Sequence, residues 1–337
     1  MFLFLKKIWR GLLFLLSVVA IVIFATQSYS RNNDSTLYAL YAQTSDAKMV
    51  QTYNSERQPV MVSIERIPER VIANRINCEE TLIALGVENR IVAVNMQNTD
   101  WQKEYLPQYR GTAERLKPIT FRNLSLEEAM SLNPDCIIGW KSTFTPKSLG
   151  TTDFWKSRNV ITYIAATSNR VKNYAGVEDE CQYILDMGKI FGKEEKAKEI
   201  VDKIHRKITG IQERIQGKNH LTVMVIEFQG HAIVNYGKEW LIGDMISQLG
   251  GRLPWKSDRL DYESLLVLNP DVIFVVYFNG DDTLNVNKLL TDPRFNSLDA
   301  VENHRVYPLR LDYMYTTAVR TVEGLEILKN GMYPELK

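Results

Sequence analysis

Aromatic and basic side chains follow several segments of the chain that read as buried strands. In α/β proteins a ligand cleft forms outside the carboxyl ends of the strands, so residues at those ends are candidates for ligand contact. Tyrosine and tryptophan provide rigid contact area, and arginine pairs with carboxylate or catecholate oxygens. These residue types suit a large, planar or anionic ligand. The candidates are Gln97, Trp101, Arg115, Trp140 and Lys141 in the first half of the chain, and Tyr236, Trp240, Tyr277, Arg310, Tyr313 and Tyr315 in the second half.

Part of this set is expected to pack within the protein rather than contact a ligand. Trp140 ends an apolar strand, where a core position and a pocket position are equally good interpretations. Arg310 and Tyr313 lie in a polar, aromatic loop before the last predicted helix, and they are the preferred candidates.

The histidines do not predict a metal site. The four histidines, His205, His220, His231 and His304, show neither an HxxxH spacing nor an acidic partner motif, whereas a zinc or manganese receptor needs several nitrogen or carboxylate ligands. Any bound iron is therefore expected to arrive already chelated. An axial haem ligand from His231 or from a tyrosine remains an alternative.

The usual signatures of catalysis are missing from the sequence. There is no GxGxxG after the first strand, no GxxxxGK[ST], no GxSxG and no HExxH. We therefore predict no enzymatic function and no cofactor. The net charge of +1, with no basic stripe, also gives no case for binding nucleic acid.

Two stretches of the chain, 124–140 and 260–276, repeat each other at an interval of 136 positions. Each contains a glutamate, Glu127 or Glu263, followed by Leu-Asn-Pro-Asp and an apolar run. Proline cannot extend a helix and restricts the residue before it, so each copy predicts a short helix, a turn and a strand. The apolar runs do not alternate, which is typical of parallel strands covered on both faces.

The repeat predicts two similar α/β lobes, and 337 residues, 45% of them hydrophobic, suffice for two cores. The longest helical pattern, from about Val177 to about Ile215, lies between the halves, with Gly188 and Gly192 marking a bend or a break. The fold class predicted is thus two Rossmann-like lobes with parallel sheets joined by a long α-helix. The expected divisions are 1–30 for an export segment, 31–59 for a polar linker, 60–172 for the first lobe, 173–217 for the interlobe helix and 218–337 for the second lobe.

The first thirty residues have the form of an export signal. Lys6, Lys7 and Arg10 precede an apolar core at 11–25, and small residues follow it. This core is shorter than the about 20 residues that span a bilayer, which favours a cleaved signal peptide over an N-terminal membrane anchor, although an anchor stays open. No cysteine precedes Cys78, so a lipid-modified cysteine is not expected. Cys78, Cys136 and Cys181 read as buried free thiols, with one disulfide as the alternative.

Several ordered segments together resemble the periplasmic-type substrate-binding proteins of ABC importers for ferric siderophores, haem and cobalamin. The resemblance covers about residues 66 to 330. No single segment is specific, but their order and spacing are. The segments are 69–73, 80–94, the two Leu-Asn-Pro-Asp units, 243–251 and 304–309.

The resemblance implies an exported or periplasmic receptor, expected to be a monomer, that holds a ferric siderophore, haem or cobalamin between its lobes. It also implies delivery to an ABC permease with a cytoplasmic ATPase, where an acidic residue of each lobe meets permease arginines. The matching positions are Glu127 and Glu263, although a glutamate in the first turn of a helix also stabilises the helix by itself. Ser125 with Glu128 could form a capping box, which would leave Glu127 facing outward.

Two alternatives use the same scaffold. An uncleaved N-terminal helix would make the protein a membrane-tethered sensor or interaction protein. A tetrapyrrole- or metal-handling enzyme is the other alternative, and the export segment argues against it.

Overall fold

Strands and helices alternate along the chain, and the computed structural model describes them for residues 48–95, 105–116, 124–230, 232–278 and 283–336. The chain divides into two units, residues 1–49 and 50–337, and the fold below is that of the second unit. The strands are β1 (Lys48–Tyr53), β2 (Pro59–Ile64), β3 (Val71–Asn74), β4 (Ile91–Val94), β5 (Cys136–Gly139), β6 (Ile161–Ile164), β7 (Val223–Gln229), β8 (Ala232–Asn235), β9 (Arg259–Leu260), β10 (Val272–Tyr277) and β11 (Val306–Arg310). The helices are α1 (Ile76–Leu85), α2 (Pro107–Leu116), α3 (Leu126–Ser131), α4 (Thr152–Lys156), α5 (Val177–Phe191), α6 (Glu194–Ile215), α7 (Leu241–Gln248), α8 (Tyr262–Leu268), α9 (Thr283–Thr291), α10 (Asp299–Glu302) and α11 (Thr321–Met332).

Each lobe is built on one sheet. The first sheet has the order β4-β3-β5-β6, and all of its strand pairs are parallel. The second has the order β11-β10-β7-β8-β9, in which β11, β10 and β7 are parallel while β8 and β9 are antiparallel to their neighbours. The two-lobed α/β class is thus confirmed, with a second sheet that is mixed rather than wholly parallel. The hairpin from β7 to β8 explains the difference, because two strands joined by a short turn must run antiparallel.

The Asn-Pro-Asp repeat has the same structure in both lobes. Asn133 and Asn269 adopt the left-handed conformation, with φ of 51° and 38°, where each copy of the repeat turns from helix to strand. The carboxylate of Asp135 accepts hydrogen bonds from the backbone of Glu69 and Arg70 at 2.9 and 2.8 Å. The carboxylate of Asp271 accepts from the Thr222 backbone at 2.7 Å. Each aspartate therefore fastens the turn to the beginning of the neighbouring strand.

The linker predicted over 31–59 needs correction where the structure describes it. Residues 48–53 form β1, and Val50 and Thr52 are buried. The Thr52 hydroxyl donates to the Ile164 carbonyl at 3.2 Å and accepts from the Ile164 amide at 2.9 Å, which attaches β1 beside the first sheet. Only two residues of this strand point inward, and one is a threonine, so the hydrophobic pattern is too short to predict it. Residues 1–47, which include the predicted export segment, lie outside the described residues.

The predicted interlobe helix at 173–217 is two helices, α5 and α6, that pack against each other. Gly192 ends α5 in the left-handed conformation, with φ of 65°. Gly188 lets the next helix approach, because a Cβ atom there would lie 2.4 Å from the Ala197 Cβ. The interlobe segment is therefore two helices rather than one, and the chain breaks at the glycines where the sequence predicted a bend or a break.

One hydrophobic core runs through both lobes. It includes one face of each sheet, represented by Val71 and Val223, together with α5, α6 and α11. Smaller clusters cover the outer face of each sheet. Since burial of a shared core opposes separation of the lobes, we expect lobe movements to be small.

Cys78, Cys136 and Cys181 are buried free thiols. Burial raises the pKa of Cys78 and Cys181 to about 12.

No helix in the described part of the chain combines the length and the apolar character needed to cross a membrane.

Candidate functional site

Four of the predicted ligand residues form a row of aromatic rings across the two lobes. Trp140 follows β5 of the first lobe, and its ring lies edge-on to Tyr315 of the second lobe, with 5.0 Å between centroids. Tyr315 lies 5.9 Å from Trp240, which lies 5.3 Å from Tyr236. We call these four residues the aromatic row. Their separations are in the range of favourable aromatic pairs, and the rings meet edge-on or tilted, so the row is a packed aromatic contact between the lobes.

Two arginines stack on the tryptophans of the aromatic row. The Arg75 guanidinium lies 4.4 Å from the ring centroid of Trp140, and the Arg170 guanidinium lies 4.5 Å from that of Trp240. Arg170 also forms an ion pair with Asp258. The row therefore carries two guanidinium groups on its rings, and a ligand anion would have to compete with Asp258 for that of Arg170.

Neither arginine was among the sequence candidates. Arg75 is the residue immediately after β3, and Arg170 lies in the loop after β6, so both satisfy the rule that ligand residues follow strands. A consistent application of that rule to β3 and β6 would have found them.

Backbone strain and unpaired donors concentrate at the same place. Arg75 has φ of 156° and ψ of 155°, a conformation that is rare for any residue except glycine. Asn169, Arg170 and Thr316 have φ of 46°, 53° and 48°. Among the described residues, no acceptor lies within hydrogen-bond distance of Arg75 Nε or Trp140 Nε1, although both are buried. Strain and unsatisfied donors are typical of a site prepared for a ligand.

Arg310 and Tyr313 belong to a second group, which is centred on an ion-pair network. The Arg310 guanidinium binds Asp312 at 2.6 and 2.7 Å and lies 4.9 Å from the Tyr313 ring centroid. Arg320 also binds Asp312 and reaches Glu80 of α1 at 2.5 and 2.9 Å. Arg310 is thus held by a protein carboxylate, which limits its capacity to bind a second anion.

The remaining candidates are placed as follows. Tyr277 ends β10 and is in register with Arg310. Lys141 is half-buried, and its backbone N–H donates to the Ser168 hydroxyl at 2.9 Å. Arg115 is exposed on α2, where it donates to Thr112 at 3.0 Å. Gln97, Trp101 and His231 lie outside the described residues.

A cavity of about 610 Å³ opens at the carboxyl ends of β3, β4 and β5 in the first lobe. Its lining is mostly polar and includes Arg75, so it is continuous with the residue that stacks on Trp140. The volume falls within the range of small-molecule sites. The lining residues are Asn74, Arg75, Asn95, Leu124, Ser125, Leu126, Glu127, Ser142, Thr143, Pro146, Lys147 and Ser148.

The two glutamates of the repeat are exposed at equivalent positions on α3 and α8. Ser125 and Glu128 form the predicted capping box, and Asp261 caps α8 by accepting from the Ser264 amide at 2.6 Å. Capping therefore uses other side chains and leaves Glu127 and Glu263 facing solvent.

Each of these helices also exposes an apolar side chain on the glutamate's face. Met130 lies three residues after Glu127 and is 44% exposed, and Val267 lies four residues after Glu263 and is 85% exposed. An acidic residue beside an exposed apolar residue on each lobe is a pattern suited to a protein partner.

Comparisons with known proteins place this geometry in a family. The profile of the periplasmic binding protein family matches residues 78–313. The ABC transporter substrate-binding lipoprotein YvrC of Bacillus subtilis (strain 168) is 21% identical over 281 residues, which cover 81% of this chain and 83% of that relative.

Two solved structures have the same fold. A periplasmic binding protein from Veillonella parvula DSM 2008 superposes with a TM-score of 0.79 at 28% identity, over 86% of this chain and 93% of the other. An ABC-type Fe³⁺-hydroxamate transport system from Saccharomonospora viridis DSM 43017 superposes with a TM-score of 0.69 at 17% identity, over 84% and 99% of the two chains.

Proposed function

This chain belongs to the periplasmic binding protein family, whose members are substrate-binding transport components rather than enzymes, and from that premise we propose which cargo it binds and how it delivers it. The proposed cargo is an iron chelate, a ferric siderophore, or else a tetrapyrrole such as haem or cobalamin. The proposed site is the aromatic row with the adjoining cavity of the first lobe. Family membership is as the sequence predicted, and so is the absence of an enzymatic role.

The observation that carries the cargo proposal is the pair of arginines on the tryptophans of the aromatic row. A flat or aromatic ligand can stack on the indole faces, and its carboxylate or catecholate oxygens can pair with the guanidinium groups. Arg75 and Arg170 come from the first lobe, whereas Trp240 and Tyr315 come from the second. A ligand held by both sets would bridge the lobes.

Ligand entry then requires only local rearrangement. The contacts from Trp140 to Tyr315 and from Arg170 to Trp240 join the lobes, and a ligand inserted there would replace them. The guanidinium groups would turn from the indole faces to the ligand's anionic oxygens. The shared core of α5, α6 and both sheets would keep the accompanying lobe movement small.

Delivery would use the exposed faces of α3 and α8. Glu127 and Glu263 would pair with arginines of an ABC permease that works with a cytoplasmic ATPase, and Met130 and Val267 would pack beside these ion pairs. Exposed charge pairs contribute mainly to orientation and rate of encounter, while the apolar side chains add contact area. The protein would act as a monomer outside the cytoplasm, exported by residues 1–30 or anchored by them.

The test of the cargo proposal is the double variant Arg75→Gln/Arg170→Gln, assayed by calorimetry against ferric catecholate and ferric hydroxamate chelates and against haem. Hydrogen bonds to charged groups contribute about 1.5–3 kcal/mol, so affinity for the cognate chelate should fall at least about tenfold for each arginine. The matched control is Arg158→Gln, because Arg158 is exposed and also lies over an aromatic ring, 3.8 Å from the Phe154 centroid. Unchanged affinity in the double variant would place the cargo elsewhere.

A further inference from the structure

Three metal-ligating side chains of different types meet on the helical hairpin between the lobes. Glu178 and Cys181 lie one turn apart on α5, and His205 lies on α6. His205 Nε2 is 2.9 Å from Glu178 Oε1 and 3.7 Å from Cys181 Sγ. All three ligand atoms lie within 4.8 Å of one another. None of the three belongs to the aromatic row or to the cavity of the first lobe.

We propose that Glu178, Cys181 and His205 bind a divalent transition-metal ion of the zinc class, with water in the fourth position. A thiolate, an imidazole and a carboxylate are each zinc ligands, and their combination excludes the harder Mg²⁺ and Ca²⁺. The proposal concerns an ion resident on the hairpin and does not depend on the identity of the cargo.

The geometry fits a tetrahedral ion with little movement. Zinc bonds of about 2.3 Å to sulfur and about 2.0–2.1 Å to nitrogen, at a tetrahedral angle, place the two ligand atoms about 3.6 Å apart. The distance from Cys181 Sγ to His205 Nε2 is 3.7 Å. The imidazole and carboxylate would separate by about 0.5 Å to reach the about 3.4 Å that the same bond lengths require. Glu178 can supply that movement, since its side chain is 77% exposed.

The orientation and the solvent exposure of the three ligand side chains also suit a bound ion. A single ring nitrogen, Nε2, faces both the thiol and the carboxylate, which is where a shared ion would lie. Cys181 is only 2% exposed, whereas the His205 side chain is 45% exposed. The site therefore has a buried soft ligand beneath two ligands that solvent reaches, which provides an entry path.

Metal binding would join the two helices of the hairpin and would depend strongly on pH. The Cys181 thiol must lose its proton to become a ligand. Affinity should therefore increase by up to about tenfold per pH unit through the neutral range.

The experiment is a titration of the purified, tag-free protein with Co²⁺, followed by its displacement with Zn²⁺. Coordination by a thiolate gives Co²⁺ a charge-transfer absorption in the near ultraviolet, which carboxylate and histidine ligands do not produce. The parent protein should develop this absorption at one equivalent of Co²⁺ and lose it on addition of Zn²⁺. Cys181→Ser should abolish it, and His205→Gln, an exposed change that keeps the cysteine, should weaken Co²⁺ binding at least about tenfold.

Two variants serve as controls, because each removes a cysteine or a histidine that lies outside the proposed metal site. Cys136→Ala removes a thiol buried in β5, and His220→Gln removes an exposed imidazole that bonds to the Gly250 carbonyl. Both should retain the absorption. The proposal is overturned if the parent gives no thiolate absorption, or if it persists in His205→Gln at unchanged affinity. Chelate binding at the aromatic row should be the same with and without Zn²⁺, so failure here is distinguishable from failure of the cargo assignment.

Discussion

The ion pair between Arg320 and Glu80 is expected to control how firmly the lobes are joined. Both side chains are 0% exposed, and the guanidinium donates two hydrogen bonds to the carboxylate, at 2.5 and 2.9 Å. Glu80 belongs to α1 of the first lobe, and Arg320 precedes α11 of the second. Burial would lower the pKa of Arg320, but the carboxylates of Asp312 and Glu80 outweigh burial and raise it. Burial also raises the pKa of Glu80, and Arg320 opposes that shift. The two hydrogen bonds favour the charged pair, which ties one lobe to the other.

Replacement of Arg320 by methionine should destabilise the protein substantially. The change keeps much of the side-chain volume but leaves Glu80 buried without its partner, and it removes one partner of Asp312. Breaking a buried pair in this way costs about 3–5 kcal/mol. At about 2.1 cal/mol/K of unfolding entropy per residue, that corresponds for a chain of this size to a melting temperature lower by about 4–7 °C.

The assay is urea denaturation followed by circular dichroism, with thermal melting as a second measurement. Lys198→Ala is the control, because it breaks an exposed ion pair with Asp202 on α6 and should leave the midpoint unchanged within error. The double variant Glu80→Gln/Arg320→Met should recover part of the loss, since it no longer buries an unpaired charge. An unfolding free energy of Arg320→Met equal to that of the parent would refute the role given to this pair.

Two further predictions concern docking and pH. Glu127→Lys/Glu263→Lys should abolish uptake in cells. Because Glu127 also lines the cavity of the first lobe, chelate affinity is measured on the single variant Glu263→Lys, which should bind as the parent does; lost affinity in that purified variant would contradict the docking role. Burial raises the pKa of Glu180 to about 7, with hydrogen bonds from Thr167 and the Ala318 amide opposing the shift. The raised pKa means that the folded state binds this proton more tightly than the unfolded state does. The stabilisation contributed by the protonated Glu180 carboxyl is therefore complete below about pH 4.5 and is lost as the pH rises to about 7. Glu180→Gln should therefore reduce the fall in unfolding free energy between pH 5 and pH 8 by about 2–3 kcal/mol, measured by urea denaturation, and an identical fall in both proteins would count against it.

The sequence predicted the parts of the fold that depend on local chemistry. Asn-Pro-Asp predicts a helix end and a turn wherever it occurs, and both copies have that structure. The α5–α6 hairpin was harder to predict, because Gly188 weakens a helix equally whether it bends or reverses. The reversal depends on Ala197 packing against Gly188, a contact that no periodicity reveals.

Part of the candidate site was likewise predicted from the sequence, and part was missed. Trp140, Tyr236, Trp240 and Tyr315 follow strands and were predicted by position, and the structure assembles them into one row. Arg75 and Arg170 also follow strands and were missed because the rule was not applied to β3 and β6, whereas their stacking on Trp140 and Trp240 could be seen only in the structure.

The metal-ligand cluster was missed for a related reason. Glu178 and Cys181 are separated from His205 by more than twenty residues, and only reversal of the chain at Gly192 brings them together. A search for histidine spacing along one helix cannot detect such a site.

The most direct test of the account is a tryptophan-fluorescence titration of the purified protein with haem, cobalamin, and ferric hydroxamate, catecholate and citrate chelates. Trp140 and Trp240 lie in the aromatic row, so a ligand bound there should quench their emission. We predict saturable, sub-micromolar quenching by one member of this panel, and its loss when Trp140 and Trp240 are both replaced by phenylalanine. A folded protein whose fluorescence responds to none of these compounds would contradict the proposal that it is a receptor for iron chelates or tetrapyrroles.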